Sequence, residues 1–172
     1  PDRNPGNKDA EHQFKEILPD VRVVNIMDDS LLNDAIDAGH LTKAVTGRIF
    51  TYMQLGQHLG ASALLNACSS VGEAASVARH AVSIPIVKID DSMTSIAVDM
   101  GPRIGVIATV RTTLEPTIRL IQQKAAQRNV QLEITEALAE GAFEALLSGN
   151  AVVHSEIFEG KIITLDNDVG VV

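Results

Sequence analysis

The sequence predicts an α/β protein of two pseudo-symmetric halves, each a parallel sheet flanked by helices. Three observations carry that expectation. Short β-rich apolar runs alternate with helical stretches, the pattern that pairs strands in parallel through right-handed crossovers. The order helix, strand, helix, strand that leads to Cys68 returns after residue 113. Gly101-Pro102 punctuates the chain between the two runs. The first half is expected over residues 1–95, carrying Cys68. The second is expected over 96–172, incomplete at its C-terminal end.

Residues 1–7, with two prolines and a glycine, read as loop, and residues 8–18 as helix. Val21 to Ile26 is a β-rich run followed by Asp28 and Asp29. Leu31 to Ala38 forms a short helix ended by Gly39. Thr42 caps a longer helix that leaves at Gly60. Its apolar stripe of Ala44, Val45, Ile49, Tyr52, Met53 and Leu59 has the spacing of a buried face. Ser62 to Ala67 is an apolar strand, Val71 to Ala81 a helix, Pro85 to Ile89 a strand, and Met93 to Met100 helical. In the second half, Arg103 to Thr109 is a buried strand. A helix runs from about Thr113 to Arg128, with Pro116 tolerated in its first turn. Val130 to Ile134 is a strand, and 139–158 is helical with a break near Gly149-Asn150. Lys161 to Leu165 is ambiguous, and Asp168 to Val172 reads as a strand.

Composition narrows the function. The chain has 172 residues, 45% hydrophobic and 21% charged, a globular balance. The net charge of −8 and 3% aromatic content argue against nucleic acid as a partner. The apolar runs are strand-sized, so no membrane span is expected, and no signal peptide is read at the start. A single cysteine excludes an internal disulfide and fits a reducing cytoplasm. The five histidines are scattered without metal-ligand spacing, so no metal is assigned. His80 and His154 read as surface or capping residues. Neither phosphate-binding glycine motif is present, so no nucleotide cofactor is expected, and the hydrolase elbow G-x-S-x-G is absent as well.

The chemistry centres on Cys68. The segment Ala61 to Glu73 passes from a strand through small residues into a helix. A cysteine there meets free backbone N–H groups and the positive end of a helix dipole, both of which favour the thiolate. The alternative is a small buried hydrophobe, the commonest place for a free cysteine. Ser69 and Ser70 either bind a carboxylate or cap the helix. Thr109, Thr112 and Thr113 stand at a second strand–helix junction, where they either bind an anion or are a β-branched strand end with an N-cap. Arg111 pairs with a carboxylate or is a solvated loop residue. Asn66 orients the cysteine turn or stabilises it locally. Asp28 and Asp29 read as helix-capping before they read as a substrate-ammonium site. Ligands in parallel sheets sit beyond the carboxyl ends of strands. The clusters at Asp28–Asp29, Cys68–Ser70 and Thr109–Thr113 are therefore expected to converge, with Cys68 at the mouth of a cleft.

Asn66 to Glu73, Arg103 to Thr113 and Gly141 to Leu147 together resemble the aspartate/glutamate/hydantoin racemase superfamily. The likeness covers most of residues 10–158. It implies two Rossmann- or flavodoxin-like halves with the active site in the cleft between them. It also implies cofactor-independent racemisation of a small amino acid or related carboxylate, with Cys68 as acid/base. Asn66, Ser69, Ser70, Thr109, Arg111, Thr112 and Thr113 would then be substrate-binding. Two alternatives stay open: an isomerase or decarboxylase of a small diacid using one cysteine, and an inactive ligand-binding homologue. Against the family pattern, the first strand and the second catalytic turn are expected to be missing. A chain so truncated is expected to racemise poorly, and its exposed sheet edge to favour a homo-oligomer.

Overall fold

The computed structural model describes residues 12–164 and the two strand residues 170–171. The residues expected to form the N-terminal loop, and most of the C-terminal strand, lie outside them. Helix α1 covers residues 12–17. In chain order there follow α2 (Ser30–Ala38), α3 (Lys43–His58), β1 (Leu64–Asn66), a 3-10 turn (Ser69–Val71), α4 (Gly72–Ala78), β2 (Ile86–Lys88) and α5 (Asp91–Met100). Then come β3 (Arg103–Ala108), α6 (Arg111–Arg128), β4 (Glu133–Leu138), α7 (Ala142–Leu147), α8 (Ala151–Thr164) and β5 (Gly170–Val171). The strands form two parallel sheets, β1-β2 and β4-β3-β5. The expected α/β class is the observed one.

Local chemistry explains most boundaries. Thr42 accepts the Val45 N–H at 3.2 Å and so caps α3. Gly39 stops α2 in the left-handed region, at φ 70°, where a glycine costs least. On α3, Val45, Ile49 and Met53 are buried as the stripe predicts, whereas Ala44 and Leu59 are exposed. They pack against Val71, Ala74, Ala75, Ala78 and Ile86 to form the core of the first sheet. The second core joins Ile104, Val106 and Ala108 of β3 to Leu114, Ile121 and Ala125 of α6 and to Ala97 and Val98 of α5. β3 is the central strand of its sheet, so it is buried from Ile104 to Ala108 without alternation.

Several expectations are corrected. Val21 to Ile26 is not a strand; it has no regular structure, and Val21, Val24 and Ile26 are exposed. No described strand lies beside it, and β-propensity without a pairing partner does not make a strand. The first sheet is thus one strand short of the expected repeat among the described residues. β4 begins at Glu133 rather than Val130, because Asn129 leaves α6 at φ 55° and the chain needs Val130 to Leu132 to reach the sheet. α6 begins at Arg111, which puts Pro116 in its second turn. There the ring nitrogen offers no hydrogen bond to the Thr112 carbonyl. The ambiguous stretch from Lys161 continues α8 to Thr164.

Asp28 anchors the segment before α2. Its carboxylate accepts from the Ser30 N–H and hydroxyl at 3.1 and 2.6 Å, from Arg48 at 3.2 Å and from the Tyr52 hydroxyl at 2.7 Å. Arg48 also pairs with Asp34. The Ser30 hydroxyl first, then that of Tyr52, holds the Asp28 carboxyl below the ordinary value of 3.8. The same bond pushes the Tyr52 phenol up. A depressed carboxyl stabilises the fold above its unfolded pKa, and that contribution disappears as pH falls through the folded value. Asp28→Asn should therefore cost about 1–2 kcal/mol in urea unfolding at pH 7. The gap to wild type should shrink below pH ~4. A gap of the same size at pH 7 and pH 3 would contradict the assignment.

Candidate functional site

The carboxyl ends of β3 and β4 open into a cleft of about 320 Å³. Thr109, Val110, Arg111 and Thr112 form one wall, at the β3–α6 junction. Leu138, Glu140, Gly141 and Glu144 form another, where β4 turns into α7, and Ile36 and Gly39 of α2 reach over it. Gly141 makes the second turn at φ 84°. Among the described residues no side chain caps the start of α6. Arg111 and Thr112, the first two residues of that helix, line the cleft, so its positive end stands at the cleft wall. Arg111 is exposed on this wall and makes no ion pair among the described residues. Glu140 and Glu144 are exposed across from it. A second hollow, between α6 and β4, is lined by Gln122, Ala125, Ala126, Val130, Leu132 and Ile134 and carries no ionisable side chain.

Cys68 stands just past the end of β1, half-buried, immediately before the 3-10 turn. Its side chain packs against the first core and is not part of the cleft lining. The turn that follows it does reach the cleft wall. The buried Ser70 hydroxyl exchanges hydrogen bonds with the hydroxyls of Thr113, at 2.8 Å, and Thr112, at 3.3 Å. That contact spans more than forty residues of sequence and ties the Cys68 turn to the opening of α6. Glu73 and Arg119 brace it with an ion pair of 2.6 Å, and Glu73 raises the Arg119 guanidinium further.

The other expected site residues divide clearly. Asn66 is buried, and its side-chain amide donates to the Cys68 carbonyl at 2.9 Å, so it holds the turn from within. Ser69 is half-buried. Neither serine side chain caps the 3-10 turn or α4. Thr109, Arg111 and Thr112 line the cleft, whereas Thr113 faces Ser70. Asp28 and Asp29 do not join them: Asp28 is committed to Ser30, Arg48 and Tyr52, and Asp29 is exposed. His154 stacks on Phe158 with ring centres 6.1 Å apart. No group of three or more histidine, cysteine or acidic side chains suited to a metal ion occurs among the described residues. Sequence reading missed Glu140 and Glu144. Its early placement of β4 hid the strand end after which Glu140 follows, although Gly141 and Glu144 lie in a stretch already noted as distinctive.

This geometry can now be set beside known proteins. The family model described as Asp/Glu/hydantoin racemase matches residues 8–164. The chain belongs to that family. No curated protein sequence matches the chain. Among solved structures it is similar to glutamate racemase from Francisella tularensis subsp. tularensis SCHU S4, a crystal structure in complex with D-glutamate. The TM-score is 0.60 at 14% identity, covering 98% of this chain and 72% of that one. At that identity the likeness is one of fold, and the fold is the racemase α/β arrangement of two parallel sheets. Among the described residues no helix is long and apolar enough to cross a membrane.

Proposed function

We propose that the protein moves a proton at the α-carbon of a small amino acid or related carboxylate, without a cofactor, using Cys68 as the acid/base group. The observation that carries this reading is the hydrogen bonding of Ser70 to Thr112 and Thr113. It ties the turn that follows the chain's single thiol to the wall of a cleft lined by a guanidinium and two carboxylates. Those charges are complementary to a zwitterion. The substrate carboxylate would lie against Arg111, the first N–H groups of α6 and the hydroxyls of Thr109 and Thr112. The ammonium would face Glu140 and Glu144. A plain diacid would meet repulsion from the same two glutamates, which favours the amino acid over the diacid. Carbon-bound α-protons are weakly acidic, so charge building on the substrate carboxylate needs donors already in place. Two halves, 1–95 and 96–172, would close on the substrate from either side, and a lone thiol kept reduced suits the cytoplasm.

The test is solvent-deuterium incorporation at the α-carbon across a panel of L- and D-amino acids, read with chirality and carbon dioxide release. Incorporation dependent on Cys68 supports the proposal. Carbon dioxide release without α-exchange would point to a decarboxylase, and saturable binding with no exchange to a ligand-binding protein. Arg111→Ala should raise KM about tenfold, the loss of one exposed charge-assisted contact. Arg111→Lys should recover part of it. An unchanged KM in Arg111→Ala would remove the carboxylate from this wall.

A further inference from the structure

The cleft holds one more negative charge than the α-groups of an amino acid can use. Glu140 and Glu144 line it beside a single guanidinium, Arg111, and among the described residues no lysine and no second arginine joins them. All three side chains are exposed. The other cations of α6 are engaged elsewhere: Arg119 pairs with Glu73, Lys124 with Asp91 and Arg128 with Asp99. Helix α2 adds to the negative sign. It ends at Gly39, a lining residue, with no basic side chain in its last turn, so the negative end of its dipole stands at the cleft.

An amino acid carries its carboxylate and its ammonium on one carbon. With the carboxylate on Arg111 and the start of α6, the α-ammonium engages one glutamate and leaves the other free. Chain order assigns the two. The Ala139 N–H donates to the Ala108 carbonyl at 2.8 Å, so Glu140 follows directly on a bond to the strand that leads into Thr109. Glu144 comes later, in α7, past the turn at Gly141. Glu140 is therefore the glutamate beside the carboxylate wall, and Glu144 the one left for a substrate side chain. Ile36, Val110 and Leu138 give the lining apolar surface for the methylenes of such a side chain. At about 320 Å³ the cleft lies at the small end of small-molecule sites, which suits a single amino acid.

We propose that the cleft selects an amino acid with a cationic side chain, of the lysine or ornithine kind, through Glu144, an inference that rests on the reading of this cleft as an amino-acid site. An acidic amino acid would bring a second carboxylate to a lining that has no second cation for it and would set that carboxylate against Glu144. The family model is described by aspartate and glutamate, and the charge of this cleft favours the opposite side chain.

The test compares lysine, norleucine and glutamate by calorimetric binding and by Cys68-dependent deuterium exchange at the α-carbon, near neutral pH and at low salt. Norleucine has the carbon chain of lysine without its ammonium, which is charged at that pH. Lysine should bind about tenfold more tightly than norleucine, and glutamate about tenfold more weakly. The spread should shrink at about 0.5 M salt, because the lining charges are exposed. In Glu144→Gln the ratio of lysine to norleucine affinity should fall to about one, and Glu144→Lys should place glutamate ahead of lysine. Ratios within one variant are unaffected by a loss common to all three ligands. Glutamate bound as tightly as lysine by the wild type, or a lysine preference that Glu144→Gln leaves intact, overturns this inference, while Cys68-dependent exchange leaves the function proposed above standing. A lysine preference in binding with no exchange of any amino acid supports the inference and removes the proton transfer from Cys68. No binding of any of the three at about 10 mM overturns both.

Discussion

Cys68→Ser is expected to lower α-proton exchange by about a thousandfold, within the range a positioned general base contributes. A thiol ionises near pH 8.5 in water and is reached by modest local help, whereas a serine hydroxyl is not ionised at neutral pH. Little of the effect should come from the fold. Cys68 is half-buried, its carbonyl rather than its sulfur is held by Asn66, and Ser70 and Thr113 remain in place. The urea midpoint of Cys68→Ser should accordingly stay within about 1 kcal/mol of wild type. Deuterium uptake measured on both proteins with the same amino acid decides the matter. A serine variant that keeps more than a tenth of the wild-type rate would move the chemistry away from sulfur. Exchange at one face of the α-carbon needs only one such group, so this assay does not depend on a second acid/base residue being found.

Local signals were legible and distant pairings were not. Thr42, Gly39 and Gly149-Asn150 mark helix ends by backbone chemistry that involves only near neighbours, and each marks an observed boundary. Parallel pairing followed from the alternation of elements, which topology constrains strongly. Val21 to Ile26 failed because a strand is a property of two chains lying together, and its composition says nothing about the partner. The strand after α6 slipped because an apolar valine looks the same whether it leaves a helix or enters a sheet. At the candidate site, Cys68–Ser70 and Thr109–Thr113 do meet, through Ser70, as strand-end clusters in parallel sheets should. Asp28 stands apart because Arg48 and Tyr52, twenty and more residues away, claim its oxygens. The buried polar group of Asn66, Lys88 and Asp90 beside Gly72 was invisible for the same reason. Asn66, Lys88 and Asp90 look like unrelated polar residues until β1 and β2 pair.

Ile121→Ala is expected to be the most damaging single truncation for stability, at about 3 kcal/mol. Ile121 is 0% exposed on α6, packed in the core formed with β3 and α5. Removing its outer carbons leaves a cavity between a helix and the central strand of a sheet, where collapse is resisted from both sides. Ile121→Val should cost about 1 kcal/mol, which separates a packing effect from a general intolerance of change. The consequence extends beyond the second core. α6 carries Arg111 to Thr113 at its start, Arg119 toward Glu73 and Lys124 toward Asp91, so one helix holds the cleft wall and the ties to the Cys68 turn. Unfolding followed by circular dichroism and by the fluorescence of Tyr52, which stands on α3 and bonds Asp28, should therefore fall together, at a lower urea concentration, with one midpoint for both signals. If Tyr52 keeps its native fluorescence after most of the circular dichroism is lost, the two sheets unfold separately. The Ser70–Thr113 and Glu73–Arg119 contacts would then be too weak to hold the proposed site as a unit.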